Sequence, residues 1–334
     1  MMGETIKLVH GDGGKYTGEL IQNIFYKYFK NSILDNGIDS AVFSISQGKM
    51  AFTTDSFVVK PLFFSGGNIG KLAVCGTVND LAVSGAKPLY LSTGFIIEEG
   101  FSIESLDLIV KEMALQCEYS NVKIVTGDTK VVEKGCVDGL FINTSGVGII
   151  ENNYKMKNIE AGDKIIVSGN IGEHGTTIAL ERYNIDIKSN IRSDCAPVYE
   201  IISILKKYYP FIKIMKDPTR GGLSTILNEI SNRAGLSVKL MEESIPIERE
   251  VYAVNEMLGL DPLYMACEGR IVLVVKGEMA EEILNKLHNL EQCGNASIIG
   301  SFTEDLEHMV YMENSFGGTR ILNILDGEML PRIC

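Results

Sequence analysis

The stretch GKLAVCGTVNDLAVSG, residues 70–85, decides the fold class. At helical spacing it is apolar except along one line, where Thr77, Asp80 and Ser84 fall at i, i+3 and i+7. The pattern predicts a helix over about 68–85. Strands stand on both sides of it. AVFSISQGKMAFTTDSFVVK (41–60) reads as two strands around a Gln-Gly-Lys turn, and PLYLSTGFII (88–97) reads as another. A helix over 102–119 and two further strands, NVKIVTGDTKVV and GLFINTSGVGII, extend the alternation to residue 150.

The pattern turns polar at ENNYKMKNIEAGDK (151–164) and then restarts as α/β. Strands are predicted at KIIVSG, LSVKL, RIVLVVK, ASIIGSF and HMVYM, with helices near 172–182, 196–208, 220–234 and 278–290. The expected product is an α/β (α+β) chain of two mixed-sheet domains, 1–155 and 156–326, followed by a flexible tail, 327–334. A chain of 334 residues is long enough for two cores.

Composition narrows the function classes. A net charge of −12 argues against nucleic acid and acidic membrane surfaces as partners. MMGETIKLVHGDGG contains no apolar run, so neither a signal peptide nor a membrane span is expected there. The seven cysteines (75, 117, 136, 195, 267, 293 and 334) are odd in number and lack a C-x-x-C pair, which points to a reducing cytoplasm. Scattered histidines (10, 174, 288 and 308) argue against zinc.

Carboxylates stand where an apolar core would not want them. Asp55 interrupts AFTTDSFVV, Asp128 interrupts KIVTGDTKVV, and Asp80 lies on the polar line of the helix. Buried carboxylates are ordinarily paired or metal-bound, although turn and capping chemistry accounts equally well for any one of them. Together with Asp39 in NGIDSAVF they suit oxygen ligation of Mg²⁺ beside a phosphate. HGDGGKYTGELI adds Gly11, Gly13, Gly14 and Lys15, a loop able to approach an anion, or simply a loop before an amphipathic helix. In MKDPTRGGLSTILNEI, Asp217 and Pro218 read as an ordinary helix start. Gly221 and Gly222 instead imply close approach of a backbone or ligand, with Arg220 aimed at it. Glu268 opens an apolar strand, as a base in a cleft or as a solvated strand end.

The run TTDSFVVKPLFFSGGNIGKLAVCGTVNDLAVSGAKPLYLS, with VTGDTKVVEKG, DPTRGGLSTILNEI, LGLDPLYMACEGR and the terminal LPRIC, resembles the HypE family of hydrogenase maturation proteins. That family sits in the aminoimidazole ribonucleotide synthetase and selenophosphate synthetase superfamily. The resemblance runs from about residue 8 to the last residue. It implies a homodimer that binds Mg-ATP between subunits. A HypF carbamoyltransferase would load a carbamoyl group on Cys334, and ATP-dependent dehydration would turn it into a thiocyanate. The cyanide would pass to iron on a HypC–HypD scaffold. By the same resemblance Asp55, Asp80 and Asp128 hold the metal. Gly11, Gly13, Gly14, Lys15, Asp39, Thr54, Asn79, Asp80, Thr129 and Arg220 hold the nucleotide, and Lys130 and Glu268 assist proton removal at Cys334. Two departures stand out: Asp39 is followed by Ser40 rather than alanine, and Asp12 occupies the Gly-rich loop. The alternatives are another ATP-dependent synthetase or kinase of the superfamily, or a non-catalytic carrier of a group on Cys334. Selenophosphate synthetase would want a reactive cysteine near the N-terminus, and the first here is Cys75.

Overall fold

The computed structural model describes residues 5–10, 15–34, 48–151, 154–183, 189–305, 308–324, 330 and 332–334. The strand expected near 41–46, the glycines at 11, 13 and 14, and Asp39 lie outside the described residues. The chain enters as one helical run: α1 (Lys15–Leu20), a π-type turn (Ile21–Phe25) and α2 (Tyr26–Phe29). Strand β1 (Met50–Phe57) follows, then a two-residue ladder of β2 (Phe63–Phe64) with β3 (Gly67–Asn68). Asn68 caps the next helix, α3 (Ile69–Val83), by accepting from the amides of Gly70 and Lys71. Strand β4 (Ala86–Glu98), helix α4 (Ile103–Tyr119) and strands β5 (Lys123–Val132) and β6 (Leu140–Ile150) complete the first half.

These strands form a sheet in the order β1-β6-β4-β5, with only β4 and β5 parallel. Side chains alternate across β1. Asp55 and Phe57 meet α3, whereas Met50 and Phe52 point away and are 45% and 70% exposed. Helix α3 is buried on nearly every side, as its sequence requires, and packs closely on α4. A Cβ on Gly70 would overlap the carbonyl of Ile109, so the crossing demands a residue without a side chain.

The second half builds a seven-stranded sheet. Its elements are β7 (Lys164–Val167), α5 (Glu173–Tyr183), α6 (Tyr199–Ser203), β8 (Ile212–Lys216), α7 (Gly222–Ala234), β9 (Ser237–Met241), α8 (Arg249–Leu258), β10 (Val272–Val275), α9 (Ala280–Leu287), β11 (Ser297–Thr303), β12 (Val310–Glu313) and β13 (Thr319–Ile321). The order is β13-β12-β9-β11-β7-β10-β8, antiparallel except for β9 with β12. One apolar cluster fills the face under α7, another the face under α6 and α9.

Three differences from the sequence-based expectation have local causes. The helix expected at 196–208 contracts to α6 and a 3₁₀ turn at Lys206–Tyr208. Strand β8 is not evident from the sequence because Lys213 breaks its apolar run; that ammonium is neutralised by Glu160 at 2.8 Å and Asp163 at 3.4 Å. The tail end, expected to swing, is seated: Leu330 and Ile333 are buried in the first core cluster, and Cys334 packs against it.

The glycine constraint is testable. Gly70→Ala should cost about 1–3 kcal/mol through overpacking. Gly18→Ala, a helical site with nothing within 4 Å of the new Cβ, should gain about 0.5–1 kcal/mol. Urea denaturation of the two variants checks the opposite signs.

Candidate active site

Three carboxylates from three elements meet at the junction of the two sheets. Asp55 comes from β1, Asp80 from α3, and Asp217 from the segment after β8. Thr77 donates from α3 to Asp55 at 3.2 Å, and Thr53 donates from β1 to Asp80 at 2.7 Å. The two hydroxyls thereby fix both carboxylates on the helix-facing side of the sheet. Burial, then the charge of Asp80, pushes the Asp55 carboxyl up to about 6. Burial, then Asp80 and next Asp55, pushes Asp217 up to about 7. Arg220 partly offsets the repulsion at Asp55. Asp80, Asp217, Thr219 and Arg220 line a cavity of about 640 Å³ between the sheets, with Leu81 and Ile226 as apolar walls.

Asp217 is therefore not the helix cap that its Asp-Pro dipeptide implied. Helix α7 starts five residues later, after Gly221 (φ 75°) caps it in the left-handed region. The close approach its glycines permit is that of the protein's own backbone: a Cβ on Gly222 would lie 2.6 Å from the Leu263 carbonyl.

The other candidates divide clearly. Asn79, expected on the nucleotide, is saturated by backbone. Its amide donates to the carbonyls of Ala196 (3.1 Å) and Glu268 (3.0 Å), and its oxygen accepts from the Val198 amide at 2.8 Å. It fastens α3 to the second half of the chain, with both amide hydrogens taken by backbone. Thr54 faces away from Asp55, in a polar patch where Ser145 donates to it at 2.8 Å and Asn143 at 3.3 Å. Asp128 and Lys130 lie on β5, the sheet edge opposite β1, and pair with Gly94 and Ile96 of β4. They are mutually 3.8 Å apart and well exposed, at 74% and 67%. Three strand spacings of about 4.8 Å separate β5 from β1, so a single chain does not bring Asp128 to Asp55 and Asp80. Thr129 lies between them on the same strand, and Lys15 begins α1.

Glu268 is buried, and its Oε1 has no hydrogen-bond partner. Burial pushes its carboxyl well above the ordinary range, with Cys195, Asp217, Asp194 and Asp55 adding to the effect. Its peptide is clamped on both sides. Asp194 accepts from the amides of Glu268 (3.2 Å) and Gly269 (3.1 Å), and Arg270 ties Asp194 to Glu173. A buried carboxyl of raised pKa is equipped to exchange a proton with a group that reaches it.

The donor set suits Mg²⁺ held by one or two carboxylates together with phosphate and water. Among the described residues no three His, Cys, Asp or Glu side chains form a closed metal cage. The raised carboxyls of Asp55 and Asp217 reflect burial first and then their mutual proximity to Asp80.

The end of the chain sits on the continuation of β1. The Val58 amide donates to the Cys334 carbonyl at 3.1 Å and the Lys60 amide to the Arg332 carbonyl at 3.2 Å, an antiparallel pairing. Val58 is three residues from Asp55, roughly 10 Å along an extended strand. Arg332 reaches back to the Val58 carbonyl at 2.9 Å and to Asp138 at 2.8 Å.

Comparisons with known proteins accord with this geometry. Residues 37–150 match the family described as AIR synthase related protein, N-terminal domain, and residues 160–312 match AIR synthase related protein, C-terminal domain. A protein of Bradyrhizobium diazoefficiens named carbamoyl dehydratase HypE is 45% identical over 332 residues, covering 98% of this chain and 96% of that protein. A crystal structure of hydrogenase maturation protein HypE in complex with ATP superposes with a TM-score of 0.94 at 39% identity, covering 99% of this chain and 100% of that one. The structure of a HypE–HypF complex matches at a TM-score of 0.81 and 43% identity, over 92% and 99% of the two chains. A thiamine monophosphate kinase of Aquifex aeolicus, 16% identical with a TM-score of 0.61 over 90% and 98%, shares the fold alone.

The raised carboxyls set a pH dependence. Groups whose folded pKa lies above the unfolded value stabilise fully below about pH 4, and that stability is lost as pH rises through about 6 and 7. Thermal melts without metal should therefore fall between pH 5 and pH 8, as the two buried carboxyls ionise. Asp217→Asn should melt a few degrees higher at pH 8, and added Mg²⁺ should raise the wild-type midpoint more at pH 8 than at pH 5. Equal melts for wild type and variant would contradict the clustering.

Proposed function

The chain belongs to the HypE family of AIR synthase related proteins, and from that premise we propose that it dehydrates a carbamoyl group on its own Cys334 at the expense of ATP. The product is a cysteine-bound thiocyanate, the cyanide source for the iron of [NiFe] hydrogenase. One observation carries the reading: the backbone of Cys334 pairs with the continuation of the strand that carries Asp55.

The chemistry follows from the residues. An amide oxygen is a poor leaving group. Attack of the carbamoyl oxygen on the γ-phosphorus of ATP forms an O–P bond, breaks the bond to ADP and releases one N–H proton. Loss of the second N–H proton, with cleavage of the C–O bond, then leaves S–C≡N and inorganic phosphate. Asp55 and Asp80 would hold Mg²⁺, with Asp217 close by, and the metal would neutralise charge on the transferring phosphate. Arg220, at the rim of the same cavity, suits the nucleotide's phosphates. Glu268 suits the proton transfers, because a carboxyl of raised pKa is neutral or charged according to its neighbours.

Asp128 and Lys130 stand apart from this cluster within one chain, on an exposed sheet edge. A homodimer formed over the outward face of the first sheet would bring them to a shared site and cover Phe52, Met50 and Ile96. The carbamoyl donor is a HypF-type transferase, the acceptor a HypC–HypD scaffold, and the setting the cytoplasm. Among the described residues no helix is long and apolar enough to cross a membrane.

A non-catalytic carrier is the rival reading, and mass spectrometry of the C-terminal peptide separates the two. A carbamoylated Cys334 should lose one water when Mg-ATP is added. Asp80→Asn should keep the carbamoyl group unchanged and hydrolyse ATP at least a hundredfold more slowly, as expected on removing a group that stabilises transition-state charge. Phe52→Asp should yield a folded monomer by sedimentation, with ATP hydrolysis reduced; a wild-type chain that is monomeric with ATP present would remove the shared-site arrangement.

A further inference from the structure

The tail's seat is built from both halves of the chain, and its deepest part belongs to α5. His174 is wholly buried, with its ring edge-on to Phe64 at 5.4 Å between centroids. Its Nε2 lies 2.8 Å from the Ile333 carbonyl and its Nδ1 2.7 Å from Ser193 Oγ. A carbonyl can only accept, so Nε2 carries the hydrogen; the Ser193 hydroxyl then donates to Nδ1 and itself accepts from the Cys195 amide at 3.1 Å. Burial holds the ring neutral, its pKa pushed down to about 4. Two turns along α5, Arg182 donates to the carbonyls of Lys60 at 2.8 Å and Arg332 at 2.6 Å.

We propose that His174 and Arg182 are positioning residues that seat the tail, holding the Ile333 and Arg332 carbonyls and thereby fixing where the Cys334 thiol is presented. The catalytic significance rests on the dehydratase reading above; the seating does not. The imidazole has one hydrogen to give, in a pocket closed to solvent, and the tail backbone takes it. When the tail leaves, that N–H loses its partner in a buried site, so the pocket favours the seated state. Working against it, Arg332 adopts φ 54°, a left-handed conformation unfavourable for a side-chain-bearing residue. Its guanidinium offsets this at the rim, over the Phe141 ring and against Asp138. A seat so balanced changes its open population when one contact is removed.

Site-resolved labelling with N-ethylmaleimide reads that population. Exposed Cys136 serves as the control for intrinsic reactivity, and buried Cys75 and Cys267 report unfolding. His174→Phe keeps the ring volume but removes both hydrogen bonds; Cys334 should label about tenfold faster, as expected for one buried hydrogen bond, with Cys136 unchanged. His174→Gln, which retains a donor, should label at close to the wild-type rate. Arg182→Met should likewise accelerate Cys334. Unchanged labelling in His174→Phe, or an equal rise in His174→Gln, would overturn the proposal. Should Cys75 also label in His174→Phe, the decision passes to Arg182→Met, where an unchanged Cys334 rate overturns it. On carbamoylated protein, single-turnover dehydration should fall about tenfold in His174→Phe and recover in His174→Gln, the scale of loss for a slightly misplaced reacting group. Faster labelling with unchanged dehydration would overturn the positioning role. Absence of dehydration in wild type would instead defeat the functional reading, while the labelling rates would still decide the seating.

Discussion

Burial of the Asp55 and Asp217 carboxyls next to Asp80, at the junction of the two sheets, is the constraint on which the site depends. Like charges crowded in a half-dry junction are unfavourable; Arg220 offsets them in part at Asp55 and Lys216 at Asp217. The rest of the junction resists being pushed apart. Asn79 bonds three backbone groups across it, and two threonine hydroxyls hold the carboxylates of β1 and α3 in place. Under the proposed reading, a bound cation would relieve the repulsion among these carboxylates.

The same strand that carries Asp55 continues into the seat of the tail, so the acidic cluster and the terminal thiol share one rigid element. Their separation is therefore set by the sheet rather than by a loop. The tail is pinned by backbone bonds to 58–60 from the first half and by His174 and Arg182 from the second. Closure of the two halves and placement of Cys334 are thus coupled: the carbonyls of 332 and 333 find their full set of donors only when both halves are in place.

Much of this is legible in the sequence, and the exceptions have physical causes. Helix α3 and the shared face of Asp80 and Thr77 follow from period and polarity alone, since both are local. Asp217 misleads because Asp-Pro looks like a helix start, while its real neighbours lie more than 130 residues away in the sequence. Asn79 resembles a ligand contact because its backbone partners at 196, 198 and 268 are invisible to local pattern. Asp55 and Asp128 share a local motif, yet strand order puts them on opposite edges of the sheet. The tail reads as mobile from its short Pro-containing sequence; its seat depends on donors from α5 that no spacing rule reveals.

The central claim is that this chain activates the amide oxygen on its own last residue by phosphorylation. A heavy-oxygen label placed in the carbamoyl group of Cys334 tests it directly in a single turnover with Mg-ATP. The account predicts that the label leaves in inorganic phosphate, one per thiocyanate formed. Label found in water, with unlabelled phosphate, would contradict it.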